Sequence, residues 1–347
     1  MEIRPHRQNG RFYNDPHDSI LLRLKNMLKT IGLIARYRLS GKGRKEGLLG
    51  SATVIQEWTE RTVPRPYSDE LTITWLGHAT FLIQVGGFNI LTDPVFDEIS
   101  RAAAGRMVPS PLQPQDLPNI DAVLISHNHR DHMDEKSLQA LLSHQPHMCV
   151  PLGNRAWLKK RGFNMITEKN WWDEVTLERG GASTLTLTFL PASHWTGRGV
   201  FDTNKSLWGS WMISCNGTTV YFAGDTAYAN HFKAINKRYP VIDVALMPVG
   251  PNEPRHLMYD AHVSAEEAVQ GFIDLGARHF IPMHWGTFMF GFDTFKLPIQ
   301  RLERSWHEQS IKLAGKHLNI VKFGQALTLD QPVVQPTSSL PSHEASL

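Results

Sequence analysis

The stretch VLISHNHRDHMD, residues 123–134, places three histidines and an aspartate within six positions, directly after an apolar run. On an extended segment, residues two apart point to the same side, so His127 and His129 can face one metal ion together. Asp131 and His132 follow where the chain turns into the next helix, and they can face a second ion. Imidazole and carboxylate groups suit Zn²⁺, with iron or manganese as alternatives. Burying these groups without a metal would leave hydrogen bonds and charge unmet, so the stretch predicts a metal-binding loop.

Other strand ends carry further candidate ligands. Three polar side chains each follow an apolar run: His194, Asp225 and His284. Any one of them is weak evidence, because histidines at strand ends often serve only as capping groups. Together with the first loop they form two sets of three ligands around one shared carboxylate. We expect the first ion to be held by His127, His129 and His194. The second ion is expected to be held by Asp131, His132 and His284, and Asp225 is expected to bridge the two ions.

Such a pair of ions points to hydrolysis. Two ions about 3.5–4 Å apart lower the pKa of a bound water to roughly 7 and stabilise displacement at phosphorus or an acyl carbon. We expect the nucleophile to be a hydroxide that bridges the two ions and is oriented by Asp131. Asp93, at the end of an earlier apolar run, has two interpretations. It either holds the far nitrogen of a ligand histidine or forms an ordinary turn with Pro94.

The elements that must position these ligands include short strands. Residues 71–94 contain two apolar runs joined through Gly86-Gly87, a hairpin pattern that ends in an aspartate. Residues 209–226 repeat this plan, with a turn at Asn216-Gly217 and another aspartate near the end. The two hairpins therefore indicate two similar half-domains.

Helices are predicted between the strands, at residues 133–144 and 264–276. In the second helix, Ser264 and Glu267 match a capping box and Gly276 supplies a stop. Alternating strands and helices predict an α/β sandwich.

The composition is that of a globular protein, with 41% hydrophobic and 20% charged residues. Cys149 and Cys215 fit neither a disulfide framework nor a CxxC metal site, which favours a reducing compartment. The polar first 19 residues lack the apolar core of a secretory signal, and no apolar run reaches 18 residues. We therefore expect a cytoplasmic protein without a membrane span.

The basic residues are concentrated near the N-terminus. Between residues 19 and 45 lie eight basic residues and no acidic one, so the rest of the chain carries a net negative charge. Residues 19–39 are predicted to be helical, with apolar side chains at intervals of three and four: Leu21, Leu24, Leu28 and Ile31. This basic helix either packs on the body of the protein or lies peripherally on the inner face of a membrane. Docking on a second copy of the chain is a further alternative, so a homodimer stays open.

These patterns divide the chain into three parts. Residues 1–65 form an N-terminal arm that carries the basic amphipathic helix, and residues 66–330 form the hydrolase domain. The Pro- and Ser-rich residues 331–347 are expected to be a disordered tail.

The metal motif and the stretches around it resemble the metallo-β-lactamase superfamily. The closer resemblance is to the N-acylphosphatidylethanolamine-hydrolysing phospholipase D family, and it extends from near residue 10 to about 290. It is carried by these stretches: GRFYN, TWLGHATFLIQ, NILTDPVF, LISHNHRDHMD, SHWTGRGVFDTNKSLWGSW, YFAGDTAY, GPNEPRHLMYDAHVSAEEAV and MHWGTF. The resemblance implies an αββα metallo-β-lactamase sandwich with two similar halves.

The resemblance also implies an activity. It implies a phosphoric diester hydrolase that acts on a phospholipid, releasing an N-acylethanolamine and leaving phosphatidic acid. It further implies that His262 lies near the site and contacts substrate, which makes His262 a candidate catalytic residue beside Asp131. From the sequence alone, His262 could equally stand at a helix start without a role. Arg130 departs from the pattern, because an aromatic residue is expected there in the vertebrate enzymes, and it leaves the exact substrate open.

The same metal core also serves other activities. A nuclease should carry a basic, aromatic-rich surface, whereas the body here is net acidic, so no nucleic-acid partner is expected. A non-catalytic module should lack a ligand, and none is missing. The main alternative is a hydrolase of a soluble phosphate ester or a sugar-phosphate lactone. Such an enzyme would not need an open apolar channel. The residues that could line a channel, or could instead belong to the core, are these five: Trp195, Trp208, Trp211, Leu257 and Met258.

Overall fold

The computed structural model describes five segments of the chain and six isolated residues. The segments are residues 3–15, 52–99, 105–180, 183–199 and 201–329. The isolated residues, at positions 25, 28, 29, 32, 33 and 36, are helical and exposed. Most of the predicted helix at 19–39 and the whole predicted tail at 331–347 lie outside the described residues. Among the residues described, no helix is both long and apolar enough to cross a membrane.

The first sheet has seven strands. Its strands, in chain order, are β3 Leu71–Gly77, β4 Thr80–Val85, β5 Phe88–Thr92, β6 Ala122–Leu124, β7 His147–Pro151, β8 Ile166–Lys169 and β16 Ala326–Leu329. Their spatial order is β16-β3-β4-β5-β6-β7-β8, antiparallel from β16 to β5 and parallel from β5 to β8.

The second sheet repeats this plan. Its strands are β9 Glu174–Arg179, β10 Ser183–Leu190, β11 Ser210–Cys215, β12 Thr218–Phe222, β13 Val244–Pro248, β14 His279–Met283 and β15 His317–Leu318. They run antiparallel from β9 to β12 and parallel from β12 to β15. The shared order of antiparallel and then parallel strands confirms the two similar half-domains.

Both predicted hairpins are confirmed, with one correction. The turn Gly86-Gly87 joins β4 to β5, and Asn216-Gly217 joins β11 to β12. The expectation of a single apolar run before Gly86 was wrong, because the chain turns at His78-Ala79 between β3 and β4. His78 has a left-handed φ of 54° there, a conformation that few residues other than glycine adopt.

Helices cover the outer faces of the two sheets. The described α-helices are α1 Ala52–Glu57, α2 Glu135–Ala140, α3 Arg155–Lys159, α4 His231–Arg238, α5 Arg255–Met258, α6 Ala265–Leu275 and α7 Leu297–Glu308. Short 3₁₀ turns lie at Pro114–Asp116 and Leu142–His144. The predicted capping box is confirmed, since the Ser264 hydroxyl accepts from the backbone of Glu267 and Gly276 ends α6 with a φ of 78°. A small antiparallel hairpin of β1 His6–Gln8 and β2 Arg11–Tyr13 precedes the sandwich.

Alternation along the strands divides the core into layers. In β4, Phe81 and Ile83 belong to the cluster between the sheets, whereas Leu82 belongs to the cluster beneath α2 and α3. Successive side chains point to opposite faces and both faces are covered, so all six residues of β4 are buried. The α/β sandwich is therefore built as helices, sheet, sheet, helices.

Trp75 generates a stability prediction. Its indole is fully buried, stacks on Phe323 with ring centroids 4.1 Å apart, and donates to the carbonyl of His78 at 3.0 Å. We expect Trp75→Ala to lower the free energy of unfolding by about 3–5 kcal/mol, through lost burial and a cavity. Urea denaturation of Trp75→Ala and of Ile311→Ala, whose side chain is 93% exposed, measures this difference. A wild-type midpoint for Trp75→Ala would contradict this packing.

Candidate metal centre

The strand ends of both sheets converge on one site. His127 and the residues after it follow β6 in the first sheet, while Asp225 follows β12 and His284 follows β14 in the second. A close approach of backbones brings these ends together. Gly224 has a φ of 58°, and a Cβ added to it would lie 2.4 Å from the Cβ of Ser126. Only glycine therefore fits immediately before Asp225, where β12 meets the loop that follows β6.

The nitrogen and oxygen atoms of the site fall into two main groups. In each, the candidate ligand atoms all lie within 4.8 Å of one another. The first group is His127, His129 and His194, and the second is His78, Asp131, His132 and His284. The structure thus brings together the two sets that the sequence predicts, and it adds His78 to the second.

Asp225 lies between the two groups. Its Oδ1 is 3.1 Å from Nε2 of His284, and its Oδ2 is 3.3 Å from Nε2 of His132. The same Oδ2 lies 3.8 Å from Nε2 of His194 and 3.9 Å from Nε2 of His127. This is the placement that a bridging carboxylate requires.

The outward-facing nitrogens of four histidines have partners in the surrounding structure. Nδ1 of His194 lies 2.9 Å from the carbonyl of Ala261, and Nδ1 of His284 lies 3.0 Å from that of Gly250. Nδ1 of His127 is 2.9 Å from the hydroxyl of Ser126, its neighbour in the chain. These contacts orient the rings so that Nε2 faces the site, as in metal centres whose ligand histidines are held by outer partners.

The fourth outer partner is Asp93, for which the sequence left two interpretations. Its carboxylate lies 2.7 Å from Nδ1 of His132 and accepts the backbone N–H of Ser126 at 2.7 Å. Asp93 is fully buried, and burial raises the pKa of its carboxyl, an effect that the hydrogen bond from His132 opposes. The geometry matches the first interpretation, in which Asp93 holds a ligand histidine.

His78 was not among the residues predicted from the sequence. Its Nε2 lies 3.0 Å from Oδ2 of Asp131, and its ring centroid is 4.1 Å from that of His284. Its backbone N–H donates to the Thr287 hydroxyl at 2.6 Å, and its carbonyl accepts the backbone N–H of His284 at 3.1 Å. The available sequence signal was its position after the apolar run TITWL, which matches the pattern of the other site residues.

Burial dominates the electrostatics of the site. It lowers the pKa of His129 to about 4 and that of His78 to about 3, so these rings are neutral near pH 7. Burial opposes ionisation of Asp225, yet the charges of His132 and His284 hold the pKa of its carboxyl well below the usual range. Burial lowers the pKa of His132, yet the charges of Asp225 and Asp131 hold it well above the usual range, so this ring would release a proton on binding a metal.

The chemistry of these residues fits a pair of metal ions. Nε2 of His129 and Nδ1 of His262 are buried without a hydrogen-bond partner, whereas Nε2 of His132, Nε2 of His284 and Oδ1 of Asp225 have only contacts within the ligand cluster itself. Unsatisfied buried groups are costly, and a cation would satisfy several of them at once. The donors are imidazole and carboxylate, which suit zinc and also iron or manganese.

Two other predicted residues lie at the edge of the site. Nδ1 of His262 is 3.7 Å from Oδ2 of Asp225, and burial lowers the pKa of His262 to about 4. His262 is therefore near the metal groups, as the resemblance implied. Arg130 is exposed, and its guanidinium donates to the carbonyl of Arg198 at 3.1 Å.

The apolar residues proposed for a channel are divided between the core and the site. Trp208, Trp211 and Met258 are buried core residues, and Leu257 is half-buried. Trp195 is also half-buried, and its ring centroid lies 4.3 Å from that of His129. A different, small cavity of about 30 Å³ lies beside His284, and most of its lining is apolar, including these residues: Met107, Pro251, Trp285, Phe288, Met289 and Phe290.

Comparisons with known proteins agree with this site. A model of the beta-lactamase superfamily domain matches residues 88–285. The N-acyl-phosphatidylethanolamine-hydrolyzing phospholipase D 1 of Caenorhabditis elegans is 36% identical over 233 residues, which cover 64% of this chain and 65% of that protein. The mitochondrial enzyme of the same name from Saccharomyces cerevisiae is 33% identical over 237 residues, or 66% of this chain and 50% of that protein. The chain thus spans less than two thirds of either relative.

A solved structure supports the fold. Igni18, a metallo hydrolase from the archaeon Ignicoccus hospitalis, matches with a TM-score of 0.58 at 21% sequence identity, covering 76% of this chain and 99% of that one. At this identity the likeness is one of fold. The superfamily match shows that the chain belongs to the metallo-β-lactamase superfamily, within which it resembles the N-acylphosphatidylethanolamine-hydrolysing phospholipase D family.

Proposed function

We propose that the protein is a phospholipase D-type phosphodiesterase that cleaves N-acylphosphatidylethanolamine to an N-acylethanolamine and phosphatidic acid. The observation that carries this proposal is the pair of ligand groups around Asp225, whose carboxylate is within 4 Å of histidines from both groups. Two-metal sites of this kind serve displacement at phosphorus. Identity of 33–36% with two enzymes named for this reaction supports the choice of ester.

The residues of the site have distinct parts in this reaction. Bound ions, held by the two groups and Asp225, would acidify a water and stabilise negative charge on the phosphate. Asp131 is fixed by His78 at 3.0 Å, in a position from which its carboxylate would accept a hydrogen bond from the attacking water and orient it. His262 is neutral near pH 7 and stands beside Asp225, where its ring can donate to an oxygen of the phosphate. Trp195, against His129, shields one side of the site from solvent.

The aromatic lining of the cavity beside His284 supports a lipid substrate. Phe290 lies 5.6 Å from the ring of His78 and 6.2 Å from that of His284, so aromatic surface reaches the ligands themselves. An acyl or glyceryl chain lying against this aromatic surface would bury apolar area next to the phosphate. A soluble phosphate ester would gain nothing from it. We further propose that the basic segment 19–45 meets the anionic face of a membrane.

Lipid cleavage by the zinc-loaded protein tests the proposal. In mixed micelles, we expect release of N-acylethanolamine from N-acylphosphatidylethanolamine, with slower turnover of phosphatidylethanolamine and of the soluble ester bis-p-nitrophenyl phosphate. His129→Ala should lower kcat by about 100-fold or more, because it removes a metal ligand. Mass spectrometry of the released headgroup measures both.

The matched control is His256→Ala, which removes an exposed histidine on α5. It should retain wild-type turnover. Cleavage of the soluble ester alone would refute the lipid assignment and favour a soluble phosphate ester or a sugar-phosphate lactone as substrate, while the metal assignment would stand.

Asp93 gives a prediction that does not depend on the substrate. Asp93→Asn replaces the carboxylate beside Nδ1 of His132 with a neutral amide, so the ring loses its charged partner. We expect zinc affinity to fall by about 10- to 100-fold. Competition with a chromophoric chelator measures the affinity. Asp121→Asn is the control, because that carboxylate accepts from the backbone of Asn89, away from the site, and equal losses in both variants would argue against a specific role.

Arg130 should affect substrate binding more than chemistry. Arg130 lies between the ligands His129 and Asp131 in the chain, and its exposed guanidinium could meet an anionic phosphate. We expect Arg130→Ala to raise KM for the lipid by about two- to fivefold, the range of an exposed ion pair, with kcat little changed. Lys136→Ala, which removes another exposed cation on the neighbouring helix α2, should leave KM unaltered. Steady-state kinetics at fixed ionic strength decide between these outcomes.

A further inference from the structure

The hairpin of β1 and β2 contacts the loop that carries His194. Asn14 follows this hairpin directly, 180 positions before His194 in the chain. It lies outside residues 88–285, the part matched by the superfamily domain. Its contacts are nevertheless with a candidate ligand of the first ion.

The carboxamide of Asn14 pairs with the backbone of His194 in both directions. Nδ2 of Asn14 donates to the carbonyl of His194 at 2.9 Å, and Oδ1 of Asn14 accepts the backbone N–H of His194 at 3.2 Å. The same Oδ1 accepts the indole N–H of Trp208 at 3.0 Å. Trp208 is buried in the core, so the carboxamide is oriented by a rigid neighbour.

His194 needs such a partner because of its place in the chain. It lies beyond the end of β10, outside the strands, so its N–H and C=O groups do not belong to a sheet ladder. Its ring is 1% exposed, and Nδ1 is held by the carbonyl of Ala261. The carboxamide of Asn14 both donates a hydrogen bond and accepts one, so it takes the place of a neighbouring strand. It thereby fixes the backbone position from which the ring of His194 projects.

The hairpin is itself anchored, so Asn14 has a defined position. Phe12 is 5% exposed and belongs to the core. Its backbone N–H donates to the carbonyl of Asn204 at 2.8 Å, and the side chain of Asn204 donates to the carbonyl of Phe12 at 2.9 Å. Arg11 also donates to the carbonyls of Thr203 and Phe201, and neither contact involves His194.

We propose that Asn14 is a positioning residue of the metal centre. Its carboxamide holds the backbone of His194 so that Nε2 of that ring stays beside His129, 3.3 Å from its Nδ1, within the first ligand group. The hairpin is then a structural part of the hydrolytic site. This inference concerns a metal ligand and does not depend on which ester is hydrolysed.

Zinc binding tests it without reference to substrate. The full-length chain, stripped of metal, is titrated with Zn²⁺ in competition with a chromophoric chelator. We expect Asn14→Ala to weaken one of two bound ions by about tenfold or more and to leave the other near wild type. Asn14→Asp should weaken the same ion, because it keeps the acceptor but sets a carboxylate oxygen against the carbonyl of His194. In assays with N-acylphosphatidylethanolamine, kcat should fall while KM is retained.

Arg11→Ala is the matched control. It removes contacts between the hairpin and the 201–203 segment but leaves those of His194, so both ions should bind as in the wild type. Two ions bound at wild-type affinity by Asn14→Ala would overturn the proposal, and so would an equal loss in Arg11→Ala. If Asn14→Ala does not fold, Asn14→Asp is titrated in its place, and wild-type affinity for both ions in that variant would overturn the proposal equally. The titration decides the matter even if the lipid is not cleaved.

Discussion

The burial of the Asp225 carboxylate is the constraint on which the rest of the structure depends. Its side chain is 2% exposed, where an ionised carboxylate is unfavourable unless cations or donors surround it. Histidines supply that environment, and they come from both sheets: His127 and His132 follow β6, and His284 follows β14. Neither half of the sandwich could stabilise this charge alone. The packing of one sheet on the other is therefore also what assembles the site.

Groups that surround the cluster fix the orientation of its histidine rings. Backbone carbonyls hold the outer nitrogens of two ligand histidines, while the carboxylate of Asp93 holds that of His132. These groups direct the inner nitrogens at the site. Because the donors are already placed, metal binding would need little reorganisation of the chain, and its free energy would add to the stability of the folded state.

The sequence was sufficient for the parts of this design that are local. The spacing of His127, His129, Asp131 and His132 requires only an extended segment followed by a turn. The hairpins at Gly86-Gly87 and Asn216-Gly217 depend on residue types that readily adopt the positive φ of such turns. His78 escaped prediction because its turn has no glycine at the left-handed position, so residues 71–85 resembled one strand. Tertiary contacts hold that φ of 54°, since the Thr287 hydroxyl accepts the backbone N–H of His78. Likewise, sequence could not tell Trp208 and Trp211 in the core from Trp195 at the site, because apolar character is shared and only packing separates them.

The extent of the site differs from the extent of the recognisable domain. The superfamily match begins at residue 88, after His78 and well after Asn14. Yet His78 fixes Asp131, and Asn14 contacts the backbone of His194. The contact between Asn14 and His194 joins residues 180 positions apart, so it leaves no periodic pattern in the sequence. A single carboxamide here takes the place of the hydrogen bonds that a neighbouring strand would otherwise supply. The hairpin was assigned from the sequence to an arm ending at residue 65, together with the basic segment. Its hydrogen bonds join it to the loop 194–206, so this part of the arm contacts the loop that carries a ligand of the first group.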